Sequence, residues 1–414
     1  MLKFALWLLF LCYGLYAKEA VSTTRDCVLD ISDVIQMALK THPSISASRE
    51  ILKSAEAQVE GAKWNYFPTP SIELSQTSSQ SATIYRIEQP LWTGGKLDAA
   101  KDFALSKKGE SEATLEESAY SLASTVIYTL HTLIQSEKNL QAIIEGKRQL
   151  QMLQRMLSRR IDAGVSSRAD GELLKSRLLQ VNTDLKVALS KRNIAIAQIE
   201  LLINQPLRCD IEFSDSYRSS DLSLESAIEE MMRTHPALKK LSTQVALSEA
   251  EKKKAQSIFW PNVSLRAEHQ SGSLYNNTHS SENLFYVSVS LSPGAGLSAL
   301  SNVESAKSKV LQTRYEVLSK KLELSNEMMQ DYDDYHSALE RIEGMKESIE
   351  ASQNVLESYT RLFLAGKRQW LDLLNSSREL TRNQMSLADL EANVWLLDQL
   401  LYLKSGKMKL CLEM

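Results

Sequence analysis

The sequence predicts a mainly α-helical chain with a small β part, built from two copies of one unit. Three observations carry that reading. Only 14 glycines and 8 prolines occur in 414 residues, about half the combined share of an average chain, so elements run long without breakers. A segment beginning at Leu29 returns from Leu222, with Thr41-His42-Pro43 recurring as Thr234-His235-Pro236 and Phe67-Pro68 as Trp260-Pro261. Self-similarity of this kind means a repeated supersecondary unit. Finally, apolar residues fall every seventh position: Tyr335, Ile342, Ile349, Leu356 and Phe363, then Leu373, Leu380, Leu387, Val394 and Leu401. Such phasing is the seam of a coiled coil.

Composition removes several classes of function. Hydrophobic residues make up 43% and charged ones 24%, with a formal charge of −3 and a pI of about 6.2. That is too apolar for a disordered chain, and there is no basic excess for a nucleic-acid footprint.

The chain opens with Lys3, an apolar run from Phe4 to Leu11, then Tyr13, Leu15 and the small residue Ala17. Residues 1–17 read as a secretory signal peptide, too short to span a membrane. Cys12 is preceded by Phe10 and Leu11, not by the small residues of a lipid-attachment site. The exported chain keeps Cys27, Cys209 and Cys411. A Cys27–Cys209 disulfide and unpaired structural thiols are both compatible with this spacing, and no Cys/His pattern suggests a metal.

The first repeat is expected over residues 18–205 and the second over 222–406, with a polar linker at 206–221 and a tail at 407–414. Each begins with a helix that opens near His-Pro, followed by two short alternating stretches. Phe285, Val287, Val289 and Leu291 alternate with Tyr286, Ser288, Ser290 and Ser292; Val263, Leu265 and Ala267 with Ser264, Arg266 and Glu268; Ile72 and Leu74 with Ser71, Glu73 and Ser75. One strand face is apolar and the other wet. A soluble sandwich and a membrane barrel share that pattern, but strands of ~9–11 residues with a polar lumen suit a barrel. Four strands cannot close one, and lipid tolerates no open edge, so several chains would have to share the closure. The polar connections Thr77 to Ala82 and Gln270 to Asn283 would be its external loops.

A Gly turn then leads each half into a long helix. Lys96 to Ile161 would be roughly 100 Å long as a rod. Val126, Leu133 and Leu140 mark its seam, and Leu174, Leu178, Val181, Leu185 and Ala188 that of the shorter helix after Gly164. The second half repeats the order, with its turn at Gly366.

In this order and twice over, these pieces resemble the outer membrane efflux protein family, the TolC-like channels. The marks are Ala38-Leu39 before His42-Pro43, their divergent counterpart Met231-Met232 before His235-Pro236, and the turn Gln89-Pro90-Leu91-Trp92-Thr93-Gly94-Gly95. Two tip turns complete them: Arg160-Ile161-Asp162-Ala163-Gly164, six residues before Asp170, and Phe363-Leu364-Ala365-Gly366, six before Asp372. The resemblance implies a homotrimer in the outer membrane of a Gram-negative bacterium. Twelve strands would form one shared β-barrel and twelve helices a tunnel through the periplasm. It further implies a passive exit duct of a tripartite efflux or type I secretion system. The partners would be a periplasmic adaptor and an inner-membrane efflux pump or ABC exporter, in contact with outer-membrane lipid and without nucleic acid.

The resemblance also assigns residues. Asp372 matches a position at the periplasmic constriction, and Asn375 stands where many members carry a second Asp. Arg368 matches a position that latches across neighbouring tips to that of Asp170. Phe363 replaces a frequent Tyr, which removes one hydrogen bond of that latch. Gly164, Val165, Gly366 and Lys367 match the tips that touch the adaptor. Three copies of one carboxylate around an axis would form a cation-selecting ring. Plain readings stand beside these: Asp170 and Asp372 as favourable charges at helix N-termini, Arg368 as a solvated arginine, the glycines as ordinary hairpin turns.

No catalytic residue, metal ligand or cofactor is expected. The histidines are scattered, with His42 and His235 suited to capping or packing. Gly294-Ala295-Gly296-Leu297-Ser298-Ala299 resembles a nucleotide loop only superficially, because its strand alternates with serine and no βαβ unit follows. A periplasmic coiled-coil protein without a pore, structural or adhesive, is the alternative; it would need no strand pairs at matching places in both halves.

Overall fold

The computed structural model describes residues 28–76, 81–213, 223–272, 281–292 and 298–411. The signal peptide, Cys12, Cys27 and the centres of both predicted external loops lie outside these residues. So does most of the Gly294–Ala299 stretch.

The first half runs β1 (Val28–Leu29), α1 (Ile31–Thr41), α2 (Pro43–Trp64), β2 (Thr69–Gln76), β3 (Ser81–Trp92), α3 (Lys96–Asp162) and α4 (Arg168–Ile203). The second runs β4 (Asp210–Ile211), α5 (Leu224–Thr234), α6 (Pro236–Ser257), β5 (Asn262–Gly272), β6 (Ser281–Ser290), α7 (Ala299–Leu364) and α8 (Trp370–Lys404). The expected order is therefore present twice, with one difference. The opening helix of each half is two helices, broken at His-Pro. Proline lacks the N–H that a continuing helix needs and pushes the preceding residue into extended backbone. His42 (φ −71°, ψ 130°) and His235 (φ −64°, ψ 123°) sit in that conformation. Each then caps the next helix: Ser44 N donates to His42 Nδ1 at 3.3 Å and Ala237 N to His235 Nδ1 at 3.2 Å. Capping is thus the role of both, and His235 is buried as well.

The predicted seams are the packing surfaces. Tyr335, Ile342, Phe363, Leu373, Leu380, Val394 and Leu401 are buried, as are Val126, Leu133, Leu174 and Ala188. The larger apolar clusters among the described residues join several helices each, the first two sharing the C-terminal part of α8. Ile35, Leu39, Ile127, Leu130, Ile199 and Trp395 join α1, α3, α4 and α8. Met231, Met328, Tyr335 and Leu401 join α5, α7 and α8. Leu157, Leu174, Phe363, Trp370 and Leu373 close the helix tips.

Between the sheet and the hairpins lies an unforeseen feature: β1 pairs in parallel with β4, Val28 opposite Asp210 and Leu29 opposite Ile211. The polar stretch 206–221 thus carries a short strand, which ties the start of one repeat to the start of the other. The larger sheet has the order β2-β3-β5-β6, antiparallel throughout, so its central pair joins the halves. At its helix side Gly94 has φ +60°, and a Cβ there would lie 2.1 Å from Trp260 Cβ. Only glycine fits that turn and that contact.

Candidate functional site

The helix tips are two hairpin turns of one design. Gly164 and Gly366 have φ of 72° and 71°. Val165 N donates to Arg160 O and Lys367 N to Leu362 O, each at 2.8 Å, which is the six-to-one bond of a Schellman ending. Val165, Lys367 and both glycines are exposed at the extreme end.

Asp170 and Asp372 stand in the first turns of α4 and α8, equally far from their glycines. Ser167 Oγ already caps α4, accepting from Ala169 N at 2.9 Å, whereas α8 has no side-chain cap at Gln369. Asp372 supplies negative charge to that end. The structure brings Arg368 to Asp372, not to Asp170 of the same chain. Arg368 Nη1 lies 3.4 Å from Asp372 Oδ2, and its guanidinium carbon is 4.4 Å from the centre of the Tyr359 ring. Asp170 and Asn375 make no side-chain bond among the described residues, and Asn375 is exposed.

Sequence reasoning named Arg160 and Phe363 as parts of the turns but missed what they do together. The Arg160 guanidinium carbon lies 4.7 Å from the centre of the Phe363 ring. The available signal was a mismatch between the repeats, Arg160 against Leu362.

At the other end, the sheet is inside out for a protein in water. Ile72, Leu74, Phe285, Val287 and Val289 share one face and are 55% to 78% exposed. The opposite face carries charge. Arg86 Nε donates to Glu268 Oε1; the Arg266 guanidinium meets Glu88 at 3.1 and 3.2 Å; Tyr286 Oη donates to Glu268 at 2.9 Å. These cross-strand partners are the more sheltered side chains, Glu268 being only 10% exposed. A soluble sheet buries its apolar face; this one shelters the polar face and presents the apolar one.

Edges remain open at both levels. β2 and β6 are the free margins of the sheet. Among the helices, α3 packs on α2, α4, α6 and α8, while α7 packs on α6 and α8. Hence α2 and α4 lie on the β2 side, and α7 on the β6 side. The free face of α7 carries Leu311, Tyr315, Leu318, Leu322 and Met329, all exposed. Their spacings of four, three, four and seven residues are those of a coiled-coil seam. On α4, Val187, Ile194 and Leu201 are exposed at seven-residue intervals.

No helix is long and apolar enough to cross a membrane, and no group of three or more metal-ligating side chains occurs among the described residues. Lys404 lies between Glu327 and Asp331, 3.3 and 2.7 Å from their carboxylates. Burial opposes its charge, but those bonds outweigh it and raise its pKa.

The sequence profile of the outer membrane efflux protein family matches residues 34–205 and 227–401. No curated protein matches the sequence. Several solved structures share the fold. The chain aligns with CusC at a TM-score of 0.80 and 17% identity, covering 91% of each chain. With the outer membrane protein VceC of Vibrio cholerae the values are 0.78 and 15%, covering 91% of this chain and 96% of that one. With the open state of the MtrE outer membrane channel of Neisseria gonorrhoeae they are 0.71 and 16%, covering 92% and 89%.

Proposed function

Because the chain belongs to the outer membrane efflux protein family, we propose that three copies close into one duct through the outer membrane and periplasm. The duct gives passage to cargo handed over by an inner-membrane pump or ABC exporter through a periplasmic adaptor. It changes no bond in that cargo.

The observation that carries this reading is the inside-out sheet with two free margins. An apolar face this exposed is at rest only against lipid, and a sheet margin in lipid must be paired. Joining β6 of one chain to β2 of the next satisfies the margins and sets the free face of α7 beside α2 and α4 of the neighbour. One rotation therefore closes strands and helices together, as a heterologous ring requires. The polar face, with Arg86, Glu88, Arg266 and Glu268, then lines the barrel. At the far end the exposed tip residues Gly164, Val165, Gly366 and Lys367 are offered to the adaptor, and Asp170, Arg368, Asp372 and Asn375 surround the periplasmic mouth.

Extraction in mild detergent, with mass measurement and planar-bilayer recording, tests the proposal. A trimer that conducts ions is expected. A monomer without conductance would overturn it and favour a pore-free coiled-coil protein.

A further inference from the structure

On its helix side the apolar face of the sheet ends in two indoles. Gln89 stands opposite Leu265 on that face, so strict alternation would turn Trp92 to the polar side. A bulge between Pro90 and Trp92 sets Trp92 opposite Val263 instead, and Val263 opposite Val289. An extra residue re-aims the side chain that follows it. The Trp92 ring meets that of Trp260 edge-on, 6.1 Å between centres, and both remain exposed. Indoles favour such a place, with apolar surroundings on one side and water on the other, as at the level of lipid head groups.

Beside Trp260 a cavity of about 340 Å³ opens between the start of α3 and the end of α6. Gly94, Gly95, Asp98 and Asp102 line it from the α3 side, Lys253 and Trp260 from the α6 side. Asp98 is held in place by Tyr66, whose hydroxyl donates to Oδ1 at 2.7 Å. Lys253 Nζ lies 3.2 Å from Asp102 Oδ2, and both side chains are exposed. One such contact leaves an ammonium two further N–H groups and a carboxylate several acceptor sites.

The repeat unit does not demand this lysine. Eighteen residues after the histidine of each His-Pro pair stand Glu60 in the first half and Lys253 in the second. Glu60 pairs with Lys63 on its own helix, whereas Lys253 reaches across to α3. Two carboxylates, an ammonium and an indole around one cavity match a ligand that carries both signs of charge a few bonds apart. A primary ammonium donates to the carboxylates and lies against the ring, and a phosphate beside it meets Lys253.

We infer that this cavity seats the head group of a zwitterionic aminophospholipid of the periplasmic leaflet. Its ammonium sits between Asp98 and Asp102, its phosphate at Lys253, and its acyl chains run past Trp92 and Trp260 along the apolar face. This rests on the reading of the sheet as part of a membrane barrel.

The test is native mass spectrometry of the protein extracted in mild detergent, stripped of lipid and titrated with dioleoyl phosphatidylethanolamine, phosphatidylcholine or phosphatidylglycerol. One retained phosphatidylethanolamine per chain is expected. The other two should bind about tenfold more weakly, since a methylated ammonium has no N–H to donate and glycerol carries no cation. Asp102→Asn and Lys253→Gln should lose most of that preference and Asp102→Glu keep it, with heat resistance of the oligomer as the folding control. If Asp102→Asn does not assemble, Lys253→Gln carries the measurement. Equal retention of the three lipids, or an undiminished preference in the variants, overturns the site and leaves the duct standing. Soluble phosphoethanolamine should compete poorly, because it lacks the acyl chains; competition as strong as that of the lipid overturns a lipid as the occupant. A wild-type protein that neither trimerises nor conducts overturns the duct, and the lipid preference per chain is still read from the masses.

Discussion

Arg368 faces Asp372, four residues further along the same chain, with 3.4 Å between Nη1 and Oδ2. Both side chains are about two-fifths exposed, so the pair contributes roughly 0–1 kcal/mol to stability. Its larger effect is to neutralise Asp372. In a ring of three chains, Arg368→Ser should raise preference for cations, and Asp372→Asn should lower it. If Arg368 also reaches Asp170 of the neighbouring chain, Arg368→Ser raises resting conductance too. Reversal potentials read the first effect and single-channel recording the second. Variants indistinguishable from wild type in both would reduce these residues to helix-end charges.

Neighbouring residues of β6 should respond oppositely to charge. Val287 points to the apolar face and Ser288 to the face of Arg266 and Glu268. Val287→Arg places a cation in lipid at a cost of about 2–4 kcal/mol near the midplane, so little heat-resistant trimer should reach the outer-membrane fraction. Ser288→Arg, facing the lumen, should assemble. The reverse pair of yields would mean that the apolar face is turned inward.

His235 gives the helical part a pH dependence. It is buried and stacked 4.7 Å from the Tyr120 ring, and its Nδ1 accepts the Ala237 N–H. Burial pushes its pKa down to about 4, with Lys320 and Lys404 lowering it further and Glu327 and Glu117 opposing them. The unfolded chain therefore takes up the proton first. This contribution to stability is complete above the unfolded value of about 6.5, falls as pH drops towards 4, and amounts to ~3 kcal/mol. His235→Asn keeps a capping acceptor that does not titrate. Between pH 7 and pH 5 its melting temperature should fall less than that of wild type; parallel curves would exclude the histidine as the cause.

Cys209 is disulfide-bonded and Cys411 is a free, exposed thiol. Cys209 directly precedes Asp210, which pairs with Val28, and Cys27 is the neighbour of Val28 in sequence; we propose Cys27 as the partner. Peptide mapping without reductant should recover a Cys27–Cys209 fragment, and Cys27→Ser should leave one additional thiol to titrate. An unchanged thiol count in that variant would dismiss the pairing.

Much of the helical scaffold was written in the sequence, because a seam repeated every seven residues has one geometric solution over so many turns. The strand pairs were legible for a similar reason, as alternation assigns each residue to a face. The break at His42-Pro43 was half legible. Proline announced it, but the capping by His42 and His235 depends on where an imidazole nitrogen falls once the next turn has formed. The pair β1–β4 had no signal, since two residues carry no periodicity.

By itself the sequence determined the repeat, the order of elements and the two faces of each strand, all of which follow from local spacing. It also placed Asp170 and Asp372 at equal distances from their glycines. Only the tertiary structure decided which face of the sheet is sheltered, because alternation is the same whether the apolar side meets a core or lipid. It likewise decided that Arg160 crosses to Phe363 and Leu364. That contact joins residues that the chain separates by about two hundred positions, and side-chain reach across such a gap is set by how α3 and α7 end side by side.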